Sequence, residues 1–197
     1  MNNGDLDMRF NENKGVSAKE LLNNINENDL GKIIKLYGEE KKYKKIARNI
    51  VKYSKEDKMN TTFDLKKAIQ EVTNPRYLNK TLSRVFQSIR IKVNEEIKNL
   101  NLFLENSLKC LKRGGRLVII TFHSLEDKIV KYFFKSLSEN KSISRYSPVT
   151  EQAETLLNLI QKKPILPSDE EISENPPSRS AKFRYAVKKT DFYDFDT

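Results

Sequence analysis

Apolar residues recur along most of this chain at the spacing of three and four that marks one face of a helix. Ser17-Ala18-Lys19-Glu20 has the form of a capping box ahead of Leu21, Leu22 and Ile25, so a short helix is predicted to begin there. Leu30, Ile33, Ile34 and Tyr37 give a second stripe that stops near Gly38, and Tyr43, Ile46, Ala47, Ile50 and Val51 a third. Thr61 and Asp64 frame a fourth start, followed by Leu65, Ala68, Ile69 and Val72, and Asn74-Pro75 breaks the pattern. From Phe86 through Ile89, Val93, Ile97, Leu100, Leu104 and Leu108 to Leu111 the steps continue without interruption, which predicts one long helix ending at Gly114-Gly115.

The period then changes. Leu117-Val118-Ile119-Ile120 is a short, β-branched apolar run behind a Gly-Gly turn, as expected of a strand covered on both faces. Ser124, with Asp127 three residues later, reads as a capping box for a helix carrying Leu125, Ile129, Phe133 and Leu137. Beyond Ser138 the signal weakens. Glu151 to Ile160 is compatible with a helix, Pro164, Pro167, Pro176 and Pro177 mark extended loop, and Ala181 to Val187 alternates as a final strand. Residues 1–16 read as irregular and residues 191–197 as a frayed acidic-aromatic tail.

Charge sharpens this picture. The 197 residues carry 37 Lys and Arg against 27 Asp and Glu, a net charge of +10, which favours a polyanionic partner. Between Lys32 and Lys58 ten basic residues face four acidic ones, and Lys41, Lys42, Lys44, Lys45 and Arg48 crowd one helix. Such a run is either a solvated face or a fit to a phosphate backbone. No apolar run approaches the roughly 18 residues of a membrane span. A single Cys and a single His exclude internal disulfides and a zinc site built on those ligands, and a reducing, cytoplasmic setting follows as the expectation.

The single histidine marks the candidate chemistry. His123 and Ser124 fall at the carboxyl end of the predicted strand, where open α/β sheets bind ligands. They also suit plain helix capping. His123, Ser124 and Asp127 are the catalytic candidates, with Asp5 and Asp7 near the start as further carboxylates, and Asp127 fits a cap better than a base.

Several blocks occur in a fixed order. They are Leu6-Asp7-Met8-Arg9, Tyr37-Gly38-Glu39-Glu40, Ile46-Ala47-Arg48, Arg84-Val85-Phe86-Gln87-Ser88-Ile89-Arg90-Ile91 with Asn94-Glu95, Gly114-Gly115-Arg116-Leu117, Phe122-His123-Ser124-Leu125-Glu126-Asp127-Lys128, and Ser178-Arg179-Ser180-Ala181-Lys182. This ordered set resembles the bacterial small-subunit ribosomal RNA cytosine-N4 methyltransferases, the RsmH or MraW family, over residues 4–188. The resemblance implies an α/β fold: a partial Rossmann-like methyltransferase sheet with an inserted small all-helical domain. It implies three parts: residues 1–16 ending the first portion of the catalytic domain, residues 17–80 a helical insert that recognises RNA, and residues 81–197 the last portion of the methyltransferase domain, with 116–122 as the fifth strand of the sheet.

The implied activity is S-adenosylmethionine-dependent N4-methylation of a cytosine in the decoding region of small-subunit ribosomal RNA. The alternative is a catalytically inactive RNA-binding remnant of such an enzyme. The family's glycine-rich loop, the acidic residue after its second strand and its Asp-Leu-Gly block have no counterpart here, so no cofactor-binding residue carries over. The chain therefore reads as shortened, with a missing N-terminal segment as an expected partner and a bare strand edge that favours poor solubility or a homo-oligomer. Two smaller departures are Pro177 where the family has Arg before Ser178, and Lys80-Thr81-Leu82-Ser83-Arg84 where it has His-Pro-Ala-Thr-Arg. For RNA contact the candidates are Arg84, Gln87, Arg90, Arg179, Lys41, Lys44, Lys45 and Arg48. Arg84 and Arg90 equally suit internal pairs with Glu40 or Glu95.

Overall fold

The computed structural model describes residues 3–139 and 155–190. The chain divides into two compact units, Met1–Glu96 and Ile97–Thr197.

The first unit is helical. Its helices start where side chains can take up the orphan amides of the first turn. Ser17 accepts from the Glu20 amide and Glu20 answers the Ser17 amide, opening α1 (Ala18–Asn24). Asn26 caps α2 (Glu27–Gly38), and the reciprocal pair Thr61 and Asp64 caps α4 (Thr62–Gln70). Helix α3 (Tyr43–Lys55) lies between them, and a 3-10 turn at Pro75–Tyr77 leads into α5 (Leu78–Val93). The stripes close on one core holding Leu22, Leu30, Ile34, Ile46, Ile50, Leu65, Ile69, Val85 and Ile89. This core reaches past both ends of residues 17–80, because Leu6 at one end and Leu82, Val85 and Ile89 at the other are buried in it. Helices α2 and α5 meet where Gly38 lies against backbone. A Cβ there would stand 2.6 Å from the Arg84 carbonyl oxygen, so only glycine permits the approach.

The long helix expected from Phe86 to Leu111 is two helices. α5 stops at Val93 and α6 (Glu96–Cys110) follows after Asn94 and Glu95, the latter left-handed at φ 49°. Apolar spacing runs straight through the break and cannot reveal it. The cause is Asn94, whose amide nitrogen donates to the Met8 and Arg90 carbonyls and whose oxygen accepts from the Phe10 amide. These bonds compete with helix continuation.

The second unit is α/β. After α6 come β1 (Arg116–Thr121), α7 (Ser124–Ser138), the two-residue β2 (Leu157–Asn158), α8 (Asp169–Glu174), a 3-10 turn at Pro176–Ser180 and β3 (Lys182–Lys188). Among the described residues the sheet is three-stranded, in the order β1-β3-β2, and both pairings are antiparallel. The final strand forms as its alternation predicts. Register sets Leu117 opposite Ala186 and Ile119 opposite Arg184, and this face packs with Leu104, Leu108, Val130 and Phe134 of α6 and α7.

Three expectations change here. β1 is buried on one face only, alternating strictly along its six residues, because nothing among the described residues covers Val118 and Ile120. Residues 155–160 hold the short β2 rather than a helix, since the Asn158–Val187 and Leu157–Lys188 pairings extend β3; residues 151–154 of that expectation, and the tail 191–197, lie outside the described residues. The proline-rich stretch is also not all loop, because Ser168 caps the one-and-a-half turns of α8.

One buried lysine locks this unit. The Lys188 Nζ donates to the Leu108 and Leu111 carbonyls at 2.8 and 2.6 Å, satisfying the C-terminal end of α6 where the helix dipole favours a cation.

Candidate RNA-contacting site

Helix α3 turns its basic residues outward because its apolar ones turn inward. Ile46, Ala47, Ile50 and Tyr53 are buried, which leaves Lys44, Lys45, Arg48, Lys52 and Lys55 exposed within about 100° of arc on the opposite side. Lys41, just before the helix, is exposed as well. Of this row only Arg48 has a carboxylate partner among the described residues, Glu27 at 3.2 Å. The stripe therefore keeps most of its charge for an outside partner.

The arginines of the first unit behave differently. Arg84 Nη1 lies 3.3 Å from Glu40 Oε2, and that carboxylate is buried and also accepts from the Lys42 amide and the Thr81 hydroxyl. Arg90 is held by two parallel bonds to Glu96, at 2.8 and 3.0 Å. Arg9 makes the same fork with Asp7, whose carboxyl the Arg9 guanidinium holds below the usual carboxylate range. These guanidinium groups are largely neutralised, so their planar faces rather than their charge remain to be offered.

Two of them line an open groove of about 590 Å³ with Phe10, Phe86, Gln87 and Ser83. Phe10 is 74% exposed. Gln87 spends its amide nitrogen on the Tyr37 carbonyl at 3.2 Å, so its oxygen is the end left to a ligand. Gln87 and Arg90 are thus brought together, on the same groove as Arg9 and Phe10. Those two were not among the sequence candidates, although Arg9 closes the Leu6-Asp7-Met8-Arg9 block. The groove's planar, half-apolar lining suits an unstacked base better than a bare phosphate.

The β1–α7 turn of the second unit holds the catalytic candidates. The cap lies one residue earlier than expected. His123 is the N-cap, its Nδ1 accepting from the Glu126 amide at 3.3 Å, while Glu126 accepts from the Phe122 amide at 3.0 Å. Ser124 is the first helical residue and Asp127 takes no part in the cap. The Nε2 of His123 is buried and lies 3.2 Å from Glu126 Oε1, out of line for a hydrogen bond. Burial pushes the Glu126 carboxyl up, but the His123 ring and the Phe122 amide outweigh it and the net shift is downward.

Asp127 is a buried anchor. Its carboxylate accepts from Arg184 Nε at 2.7 Å and from Lys182 Nζ at 3.1 Å, tying α7 to β3. Burial alone would raise its pKa, and the two cations carry it below the ordinary value instead. Arg184 also donates to the Lys162 carbonyl. No sequence reading paired residues 57 apart. Arg179 is exposed in the 3-10 turn after Pro176 and makes no ion pair among the described residues. Near the start, Asp5 is exposed and bridges to Thr61 through its backbone.

A methyl-donor cofactor needs a strand-to-helix turn with free amides and room for close approach. The β1–α7 turn has no glycine, and its own side chains occupy the Phe122 and Glu126 amides. This turn does not fit that group. The described residues include no helix long and apolar enough to cross a membrane.

Comparison with known proteins agrees with the residues that carry the resemblance. A protein of Hydrogenovibrio crunogenus named ribosomal RNA small subunit methyltransferase H is 44% identical over 95% of this chain and 60% of its own length. Relatives of the same name from a Sulfurihydrogenibium species and from Clostridium botulinum are 42% and 43% identical over 91% and 95% of the chain, and over 57% and 62% of their own lengths. The chain thus spans about 60% of the length of the curated relatives it matches. The model of the MraW methylase family matches residues 1–189, and the chain belongs to that family.

Proposed function

We propose that this chain is the RNA-holding and C-terminal portion of an S-adenosylmethionine-dependent ribosomal RNA methyltransferase that acts on the N4 of a cytosine in the small subunit. The observation that carries the RNA side is the exposed, carboxylate-poor row Lys41, Lys44, Lys45, Arg48, Lys52 and Lys55 on one side of α3. Such a row neutralises successive phosphates and releases their counterions. Residues 17–80 then serve as the RNA-recognition domain, followed on α5 by Arg84 and Arg90, braced by their carboxylates, and by Gln87, which presents an acceptor; in the second unit, taken by itself, Arg179 is a further candidate for RNA contact. S-adenosylmethionine supplies the methyl group in the family, and the β1–α7 turn offers it no cradle. His123, Ser124 and Asp127 fix the β1–α7 turn in this reading.

The test is binding of the 197-residue chain to a hairpin from the small-subunit decoding region across a salt series. A steep fall of affinity with salt is expected. The double variant Lys44→Glu, Lys45→Glu should bind at least tenfold more weakly and show a shallower salt slope. Affinity that ignores both salt and the double variant overturns the assignment. The missing cradle favours a second reading, an RNA-binding remnant without activity of its own. Methyl transfer from S-adenosylmethionine to the hairpin, measured with this chain together with the part of its relatives that it does not match, separates the two: activity that needs this chain overturns the remnant, and its absence overturns the first reading.

A further inference from the structure

Two residues near the start of the first unit are held in ways that core packing does not require. Met8 is left-handed at φ 64°, a conformation that a non-glycine residue keeps only where its surroundings fix it. Phe10 is 74% exposed, although Leu6 and Met8 just before it pack on the helical core. Asn94 fixes both. Its amide nitrogen donates to the Met8 carbonyl and its oxygen accepts from the Phe10 amide, each at 2.8 Å. The Phe10 ring is therefore carried outside the core on a backbone that is bonded in place.

On the same groove α5 presents one stripe, with Phe86, Gln87 and Arg90 at the helical spacing of three and four. Its polar groups arrive half used. Arg90 gives Nε and Nη2 to Glu96, and its Nη1 is the donor that this fork leaves over. Gln87 gives its nitrogen to the Tyr37 carbonyl and keeps Oε1 as an acceptor. Arg9 is clamped by Asp7 and by the Gly15 carbonyl. These side chains are positioned before any ligand arrives, so a ligand that bonds them has little left to order. Both guanidinium charges are already paired, so a lone phosphate gains little from them. An exposed ring with a donor and an acceptor three residues apart is what holds the face and the edge of a planar heterocycle.

We propose that this groove takes one unpaired nucleobase of the RNA, its face against Phe10 and its edge bonded by Gln87 Oε1 and Arg90 Nη1. The inference rests on the RNA reading above and divides the work within the first unit. The α3 row takes phosphates, and the groove tests whether a base is out of the stack. Every base carries an acceptor next to an N–H on its pairing edge, so one donor and one acceptor suit any of the four. A base in a duplex has that edge filled by its partner and its face covered by its neighbours. The groove therefore selects single strands over duplex and is indifferent to sequence.

The test measures binding of the full 197-residue chain to a short unstructured RNA and to a blunt duplex of the same sequence. Phe10→Ala should weaken binding of the single strand about tenfold, with duplex affinity and the salt slope unchanged, and Phe10→Tyr should bind as the parent does. The chain has no tryptophan, so Phe10→Trp adds a lone fluorophore at the groove. Its emission should be quenched by the single strand and not by the duplex. This signal decides even where Phe10→Ala disturbs the fold. The double variant Lys44→Glu, Lys45→Glu should instead weaken both RNAs and flatten the salt slope, which tests the α3 row separately. Single-strand affinity that ignores Phe10→Ala, or a tryptophan quenched equally by both RNAs, overturns the groove and leaves the row standing. Binding of neither RNA overturns the groove together with the RNA reading.

Discussion

The two units solve the same problem to different degrees. The helical unit buries its apolar stripes against one another, with Leu30, Ile34, Ile46, Ile50 and Leu65 fully enclosed, and α3 turns a row of basic residues outward. The α/β unit encloses one face of its sheet around Leu104, Leu108, Ile119 and Phe134 and leaves the other face to solvent. The contrast teaches that apolar residues of similar type mean different things in the two places. Ile34 holds its unit together, while Ile120 lies exposed on the outer face of the sheet.

The sharpest way to break this contrast is to truncate both. Ile34→Ala is expected to cost about 3–4 kcal/mol, read as a fall in the urea midpoint, because it opens a cavity in a closed core. Next comes the Asp127→Asn variant, which strands Arg184 in a buried site and should cost on the order of 3 kcal/mol at pH 7. Its pH dependence has a definite sign. The folded-state pKa lies below the unfolded value of about 3.9, so the stabilisation is complete above that value and is lost as pH falls through the lower, folded one. Urea midpoints from pH 6 down to pH 2 should therefore drop less in Asp127→Asn than in the parent, and equal drops would remove Asp127 from the account of acid unfolding.

Smaller effects sharpen the same comparison. Gly38→Ala should cost about 1–3 kcal/mol, since its Cβ meets the Arg84 backbone rather than a side chain that can swing away. A thermal midpoint unchanged in that variant would show that α2 and α5 have room to separate. Last, Ile120→Thr should change stability by less than about 0.5 kcal/mol, as surface substitutions do, and reduce aggregation measured by light scattering. A large loss of stability there would mean that the front face is already covered.

Local chemistry was legible in the sequence and distant chemistry was not. Ser17 with Glu20 and Thr61 with Asp64 announce helix starts because capping partners are three residues apart. β3 announces itself by alternation. The break at Asn94 stayed hidden because its cause is Met8 and Phe10, more than eighty residues upstream. The N-cap was displaced from His123 to Ser124 in the reading because imidazole is an uncommon cap and serine a common one. At the candidate site, the basic row of α3 follows from composition and period alone. The bracing of Arg84 by Glu40 was one of the open alternatives, whereas that of Arg90 by Glu96 was not. The Asp127 anchor needed β3 to arrive beside α7, which no local pattern encodes.

Lys188 gives the molecule an internal reporter. The residue is 2% exposed in a chain whose other lysines are mostly in water, so an acylating reagent will mark those first and reach Lys188 only when β3 parts from the end of α6. The rate at which that one amine is labelled, followed by peptide mass, would time the breathing of the second unit without any introduced probe.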